Sequence, residues 1–143
     1  MTRTSVRAID PVTAAARVVT HLAAAREAGQ SCAIPNSFRE ADLGLVRRWP
    51  AWVARAAVLR SRATWWLWCE PRKGARGASQ AVLDIPRGRY LVDILDTRTH
   101  AWFSRESSAG GPLVAGLPAT GGALVVRVAR VAEDSAMPGG ERP

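Results

Sequence analysis

The clearest pattern in the chain is an alternation of apolar and polar positions that starts at Gly88. Tyr90, Val92 and Ile94 lie two residues apart, and a period of two is typical of a half-buried β-strand. Residues 96–100 then bring short polar side chains, which hydrogen-bond the nearby backbone and so favour a turn. An apolar pattern resumes directly after this turn. The sequence therefore predicts a β-hairpin over residues 88–102.

Short apolar runs bounded by Gly and Pro fill the rest of the second half of the chain. Such runs predict further strands at 65–69, 80–85, 112–117 and 123–131, while residues 56–60 are either a weak first strand or the frayed end of a preceding helix. Several short strands at regular spacing favour an antiparallel β-sandwich. We therefore expect a small β-sandwich domain over residues 55–132.

The beginning of the chain has a different period. Residues 1–9 show no pattern, and we expect them to form a loose arm. Asp10 and Pro11 then suit the N-cap and the first position of a helix. Apolar residues follow at steps of three and four, which predicts a helix over residues 11–28.

A second helix start follows at Ser37, where Ser and Glu40 fit a capping box. Apolar spacing then predicts a helix over residues 38–48, which Pro50 would end by removing a backbone donor. The expected fold is thus mainly β, a small antiparallel β-sandwich preceded by an N-terminal pair of α-helices in residues 1–54. Residues 133–143 lack a core-forming pattern, and we expect a disordered tail.

The tryptophan run is the most hydrophobic point of the sequence. In a strand, Trp65 and Leu67 point to one side and Trp66 and Trp68 to the other. One pair then builds the sandwich core, and the second pair needs cover. Two interpretations stay open: the predicted helices, with Trp49 and Trp52, pack over the second pair, or that pair and Trp102 form an aromatic platform for sugar rings.

Composition narrows the function classes. The chain has 143 residues and a formal net charge of +8, and all but Lys73 of its 20 basic residues are arginines. Because these arginines are scattered, we take the charge as a weak sign of nucleic-acid binding.

No stretch approaches the ~18 apolar residues that cross a bilayer, and no signal-peptide core is present, so we expect no membrane partner and a cytoplasmic location. Cys32 and Cys69 lack the spacing of a metal site, and we expect both to be reduced.

No catalytic constellation emerges from the polar residues. The acids of the second half are Glu70, Asp84, Asp93, Asp96 and Glu106. Asp84 and Asp93 lie within strands and are expected to face water, while Asp96 is expected to cap the hairpin turn. His21 has no carboxylate or hydroxyl partner in view, and the serines have no His and acid placed for a triad. We therefore predict no catalytic residue, no metal and no cofactor.

The hairpin and the closing strand also carry a family resemblance. The order G-R-Y, alternating strand, D-x-R-T, aromatic, followed by a Gly-rich loop and L-P-x-x-G-G-A-L-V-V-R-V, resembles the small C-terminal β-sandwich of many glycoside hydrolases, including modules labelled as putative collagen-binding. The likeness covers roughly residues 55 to 131. Asp96, Arg98 and Thr99 match the usual D-P-R-T-G turn, while Thr97 and His100 replace its Pro and Gly.

The resemblance implies a non-catalytic accessory or structural module, without the barrel that carries the acids of these enzymes. Its expected partners are a glycan or a catalytic-domain protein, with Trp66, Trp68 and Trp102 as candidate carbohydrate-binding residues. Asp96 and Arg98 would fix the turn. The module would be secreted if it is a fragment of a larger hydrolase. The alternative is a small basic nucleic-acid-binding protein, with Arg72, Lys73 and Arg76 as the residues to neutralise.

Overall fold

The computed structural model describes residues 6–29, 34–35, 38–41, 43–62, 64–109 and 112–131. The expected tail at 133–143, Cys32 and the capping Ser37 lie outside the described residues. The elements, in chain order, are β1 (Arg7–Ala8), α1 (Pro11–Glu27), β2 (Arg39–Ala41), a 3₁₀ turn (Leu43–Leu45), β3 (Val46–Arg48), β4 (Val53–Ser61), β5 (Thr64–Pro71), β6 (Ala78–Leu83), β7 (Gly88–Asp96), β8 (Ala101–Ala109), β9 (Leu113–Pro118) and β10 (Leu124–Arg130). The prediction of a mainly β protein is confirmed.

The strands form two sheets. The large sheet has the order β1-β4-β5-β10-β7-β8, and β2 also pairs with β4. The small sheet has the order β3-β6-β9. The closing strand β10 runs antiparallel between β5 and β7, so the C-terminal end of the predicted sandwich region is hydrogen-bonded to two of its earlier strands.

Strand alternation gives the large sheet two different faces. The inner face packs with residues of the small sheet in one core, which includes Leu67, Val92 and Val126 from the large sheet and Leu83 and Leu113 from the small one. We call the opposite side the helix face, because α1 packs on it. The two sides thus have separate apolar clusters.

Helix α1 begins as the sequence predicts. The Asp10 carboxylate accepts a hydrogen bond from the Thr13 backbone N–H at 2.9 Å, and Pro11 is the first helical residue. Ala14, Val18 and Leu22 are fully buried on one side of the helix and pack with Trp66 and Trp68 of β5.

The second predicted helix, at 38–48, is wrong, and so is the pair of α-helices. Arg39–Ala41 pairs with β4 and Val46–Arg48 pairs with β6, with only a 3₁₀ turn between them. Both short strands supply backbone hydrogen bonds to a strand edge that would otherwise lack a partner. The expectation of a loose arm is also wrong at Arg7–Ala8, which pairs in parallel with β4.

Within the described part of the chain, no helix combines the length and the apolar character that crossing a membrane requires.

Candidate functional site

A polar row crosses the helix face of the large sheet. Cross-strand register places Trp66 of β5 opposite Arg127 of β10, Arg127 opposite Asp93 of β7, and Asp93 opposite Ser104 of β8. Side chains directly opposite on neighbouring strands lie about 5 Å apart at Cβ. Four consecutive strands therefore bring an indole, a guanidinium, a carboxylate and a hydroxyl side by side.

Arg127 and Asp93 form an ion pair at the centre of this row. The Arg127 Nε donates to Asp93 Oδ2 at 2.8 Å, and its Nη2 donates to the same oxygen. The Ser104 hydroxyl donates to the other carboxylate oxygen. The Asp93 side chain is only 3% exposed and that of Arg127 is 23% exposed. The expectation that Asp93 faces water is wrong, because β10 lies beside β7 and its arginine covers the carboxylate.

Two indole rings enclose the Arg127 guanidinium. Its central carbon lies 5.6 Å from the ring centre of Trp66 and 5.3 Å from that of Trp102. At these distances both rings attract the cation through their quadrupoles. Trp102 reaches this position from β8, two pairs away from Ser104 in the register and on the same face of the sheet. Trp102 is half-buried, so the row opens to solvent at its β8 end.

The tryptophans named as sugar-binding candidates have different environments. Trp66 and Trp68 are 2% and 3% exposed and lie beneath α1. Phe38 meets the Trp66 ring edge-on with the centroids 5.8 Å apart. A sugar ring cannot reach either indole while the helix stays in place. The packing interpretation therefore describes this pair. Trp49 and Trp52 were expected in the same cover, but Trp52 lies in the inner core and Trp49 packs against it.

The tryptophan donors are unsatisfied in this part of the molecule. The indole N–H groups of Trp66, Trp68 and Trp102 are buried and have no hydrogen-bond partner in the described structure. A buried donor without an acceptor costs stability. Two of these tryptophans, Trp66 and Trp102, lie beside Arg127.

His21 of α1 also packs on the helix face. Its ring stacks on Trp68 with the centroids 5.3 Å apart, and its centroid lies 6.4 Å from that of His100. Burial, followed by the nearby charges of His100 and Arg17, lowers the pKa of His21 from its ordinary value. The imidazole is therefore mostly neutral at pH 7, and its stacking on Trp68 gives it a packing role.

The hairpin turn between β7 and β8 is tied to the chain before β10. The Asp96 carboxylate accepts from the Arg98 backbone N–H at 3.0 Å and from the Thr120 hydroxyl at 3.3 Å. The Arg98 side chain donates to the Thr120 carbonyl, and the Thr97 hydroxyl donates to the Ala123 carbonyl at 2.7 Å. Asp96 and Arg98, singled out by the sequence, both make contacts that hold this turn.

His100 ends the turn in a conformation that favours glycine. Its φ is 59°, inside the left-handed region. The turn of the resembled family has Gly at the position of His100. His100 adopts the left-handed conformation that suits such a Gly, although it carries a large side chain. The backbone N–H of His100 donates to the Asp96 carbonyl at 2.7 Å, which closes the turn.

The remaining acids singled out by the sequence form ion pairs. Glu70 pairs with Arg55 and Arg17, Asp84 with Arg47, and Glu106 with Arg89. Asp84 is half exposed and reaches solvent as expected. No group of three or more His, Cys, Asp or Glu side chains among the described residues could hold a metal ion.

Cys69 is a free thiol, fully buried in the inner core. Burial raises its pKa to about 12. The thiol is therefore protonated at neutral pH and is a poor nucleophile.

The sequence did not single out Arg127 or Ser104. A signal for Arg127 was present, since it interrupts an otherwise apolar strand, L-V-V-R-V. A charge in such a strand needs a partner, but the partner follows only from the strand order.

Comparison with protein-family models, with curated proteins and with solved structures gave no match to this chain.

Proposed function

We propose that this protein is a non-catalytic β-sandwich accessory module, of the kind attached to glycoside hydrolases, which binds a glycan at the open end of the polar row. The observation that carries the proposal is the half-buried Trp102 beside the Arg127–Asp93–Ser104 row. An aromatic ring next to fixed polar groups suits a sugar, which offers an apolar ring face and hydroxyl groups together.

The architecture supports the sandwich. The large and small sheets share the inner core, and the closing strand joins the middle of the larger one. The hairpin motif behind the family resemblance forms β7, its turn and β8. Asp96 and Arg98 bond within that turn and to the loop before β10.

The engagement of the acids supports a non-catalytic role. Glycoside hydrolysis needs one carboxyl group to move a proton and a second to act as nucleophile or base. Here Glu70, Asp84, Asp93 and Glu106 are each bonded to arginine, and Asp96 holds a turn. Each of these carboxylates is therefore held by a bond within the protein.

The test is calorimetric titration with a panel of neutral oligosaccharides. Trp102→Ala is expected to weaken the affinity for the bound sugar by about 30-fold, which corresponds to the ~2 kcal/mol of a central aromatic contact. Phe103→Ala is the matched control. Phe103 is the next residue on β8, is 53% exposed and points to the opposite side of the sheet.

An unchanged affinity in Trp102→Ala, or an equal loss in Phe103→Ala, would place the sugar elsewhere. If no oligosaccharide of the panel binds, the glycan function is refuted and a purely structural module is left.

A further inference from the structure

Four exposed arginines gather at one end of the large sheet, far along the strands from Glu70 and Asp96. They are Arg39, Arg60, Arg62 and Arg130. Arg39 of β2 lies directly opposite Arg60 of β4, and Arg62 follows β4 in the turn to β5. Arg130 ends β10, which is two strands away from β4. We call this group the arginine end.

The charges of the arginine end have no carboxylate partner among the described residues. Arg60 Nε donates to the Arg62 carbonyl at 2.8 Å, and Arg130 Nη2 donates to the Arg87 carbonyl at 3.1 Å. These carbonyls position the guanidinium groups but do not neutralise them. Among the acidic side chains described on the large sheet, Glu106 alone stands at this end, and it pairs with Arg89.

The other end of β4 shows how the same arrangement is neutralised. There Arg7 of β1 lies opposite Arg55, and Glu70 forms an ion pair with Arg55. Like charges directly opposite each other on neighbouring strands destabilise a sheet. The Arg39–Arg60 pair has no such carboxylate among the described side chains, so an anion bound there would relieve its repulsion.

The aromatic rings nearby are covered or buried. The Arg60 guanidinium covers one face of the half-buried Trp65, 5.6 Å from its ring centre, and Tyr90 is fully buried. A base that stacked on this face of Trp65, as in single-strand binding, would have to displace Arg60. The contacts on offer are charged hydrogen bonds from guanidinium groups, and these suit phosphate oxygens.

We propose that the arginine end binds the phosphate backbone of a nucleic-acid duplex, without reading its sequence. From β2 to β10 the arginines span three strand spacings, about 14 Å. This width is close to the ~12 Å of the major groove of B-DNA, so phosphates on both sides of the groove come within reach. Arginines on adjacent strands lie about 5 Å apart, and duplex DNA likewise carries closely spaced phosphate charges.

The experiment measures fluorescence anisotropy of a labelled DNA duplex of about 20 base pairs with the full chain. With about four phosphate contacts, the affinity is expected to fall on the order of 100-fold between about 50 and about 200 mM salt. The test variant combines Arg39→Gln, Arg60→Gln, Arg62→Gln and Arg130→Gln. The control variant removes the same charge at exposed positions elsewhere, with Arg7→Gln, Arg26→Gln, Arg48→Gln and Arg105→Gln.

The test variant is expected to lose most of the salt dependence, and the control variant to keep it. The smaller variant Arg39→Gln/Arg62→Gln changes two exposed side chains for which the described structure shows no hydrogen bond. It should halve the slope of log affinity against log salt concentration, and it keeps the test available if the fourfold variant does not fold. Equal losses in test and control would overturn the proposal, since net charge alone would then explain binding. Binding of a sulfated polysaccharide such as heparin without binding of the duplex would overturn it too. The glycan titration above is unaffected by either outcome.

Discussion

The ion pair at the centre of the polar row gives the sharpest prediction about stability. Arg127→Met keeps most of the length of the side chain between Trp66 and Trp102 but removes the charge that faces Asp93. The Asp93 carboxylate would then remain buried with only the Ser104 hydroxyl as a donor. Removing one partner of a buried ion pair typically costs about 3–5 kcal/mol.

We expect the low end of this range, about 3 kcal/mol, because Arg127 is 23% exposed and water can reach the site from its side. The double variant Asp93→Leu/Arg127→Met removes both charges and replaces them with apolar groups. It should lie within about 1.5 kcal/mol of the original protein, since a buried pair repays little more than its desolvation. The single variant is therefore expected to be less stable than the double variant.

Urea unfolding followed by tryptophan fluorescence measures these differences. The thermal midpoint of Arg127→Met should fall by about 9 °C, at roughly 3 °C for each kcal/mol in a chain of this size. A loss below about 1 kcal/mol in the single variant, or a double variant no more stable than the single one, would refute the description of Asp93 as a buried charge that depends on Arg127.

Three further predictions concern single side chains. Because the folded pKa of His21 is lowered, the unfolded chain binds more protons below about pH 6.5, so stability should fall as the pH drops from about 7.5 to about 5.5. His21→Phe keeps the stacking on Trp68 without titrating and should show a smaller fall in thermal midpoint; an equal fall would assign the pH dependence to other groups. His100→Gly should gain about 0.5–1 kcal/mol in urea unfolding by relieving a left-handed residue. A loss of stability would contradict this and show that the ring contact of His100 with His21 outweighs the strain. In a Cys32→Ser background, Cys69 should react with a thiol reagent at pH 8 only at the rate of unfolding, because burial raises its pKa to about 12; fast labelling of the folded protein would contradict its burial.

The strands were readable from the sequence because period and turn chemistry agree there. The hairpin at 88–102, the tryptophan strand and the closing strand all lie where the alternation predicts. Residues 38–48 were misread because Leu45 and Trp49 also fit helical spacing. These residues form strands because β2 pairs with the open edge of β4 and β3 pairs with the open edge of β6. A local pattern of apolar residues does not show that a distant strand has an unpaired edge.

The site was only half readable for the same reason. Strand parity correctly separates Trp66 and Trp68 from Trp65 and Leu67, since the two pairs lie in different clusters. That Asp93 is buried depends on β10 being its neighbour, a contact between positions 34 residues apart. Without the strand order, the sequence shows that Asp93 and Arg127 each lie in a strand, but it does not show that these two side chains contact each other.

The position of α1 decides which part of the tryptophan face could act on a ligand. The helix lies over Trp66 and Trp68, and His21 adds its ring to the same cover. A glycan site that used all three candidate tryptophans would have to displace this helix and expose its fully buried residues, Ala14, Val18 and Leu22. Exposing buried Val and Leu side chains costs about 1.5–3 kcal/mol each, more than one sugar ring is expected to return. A glycan that binds as proposed, without such a rearrangement, would therefore contact only Trp102 and the open end of the row, so it would be small or approach with a single sugar residue.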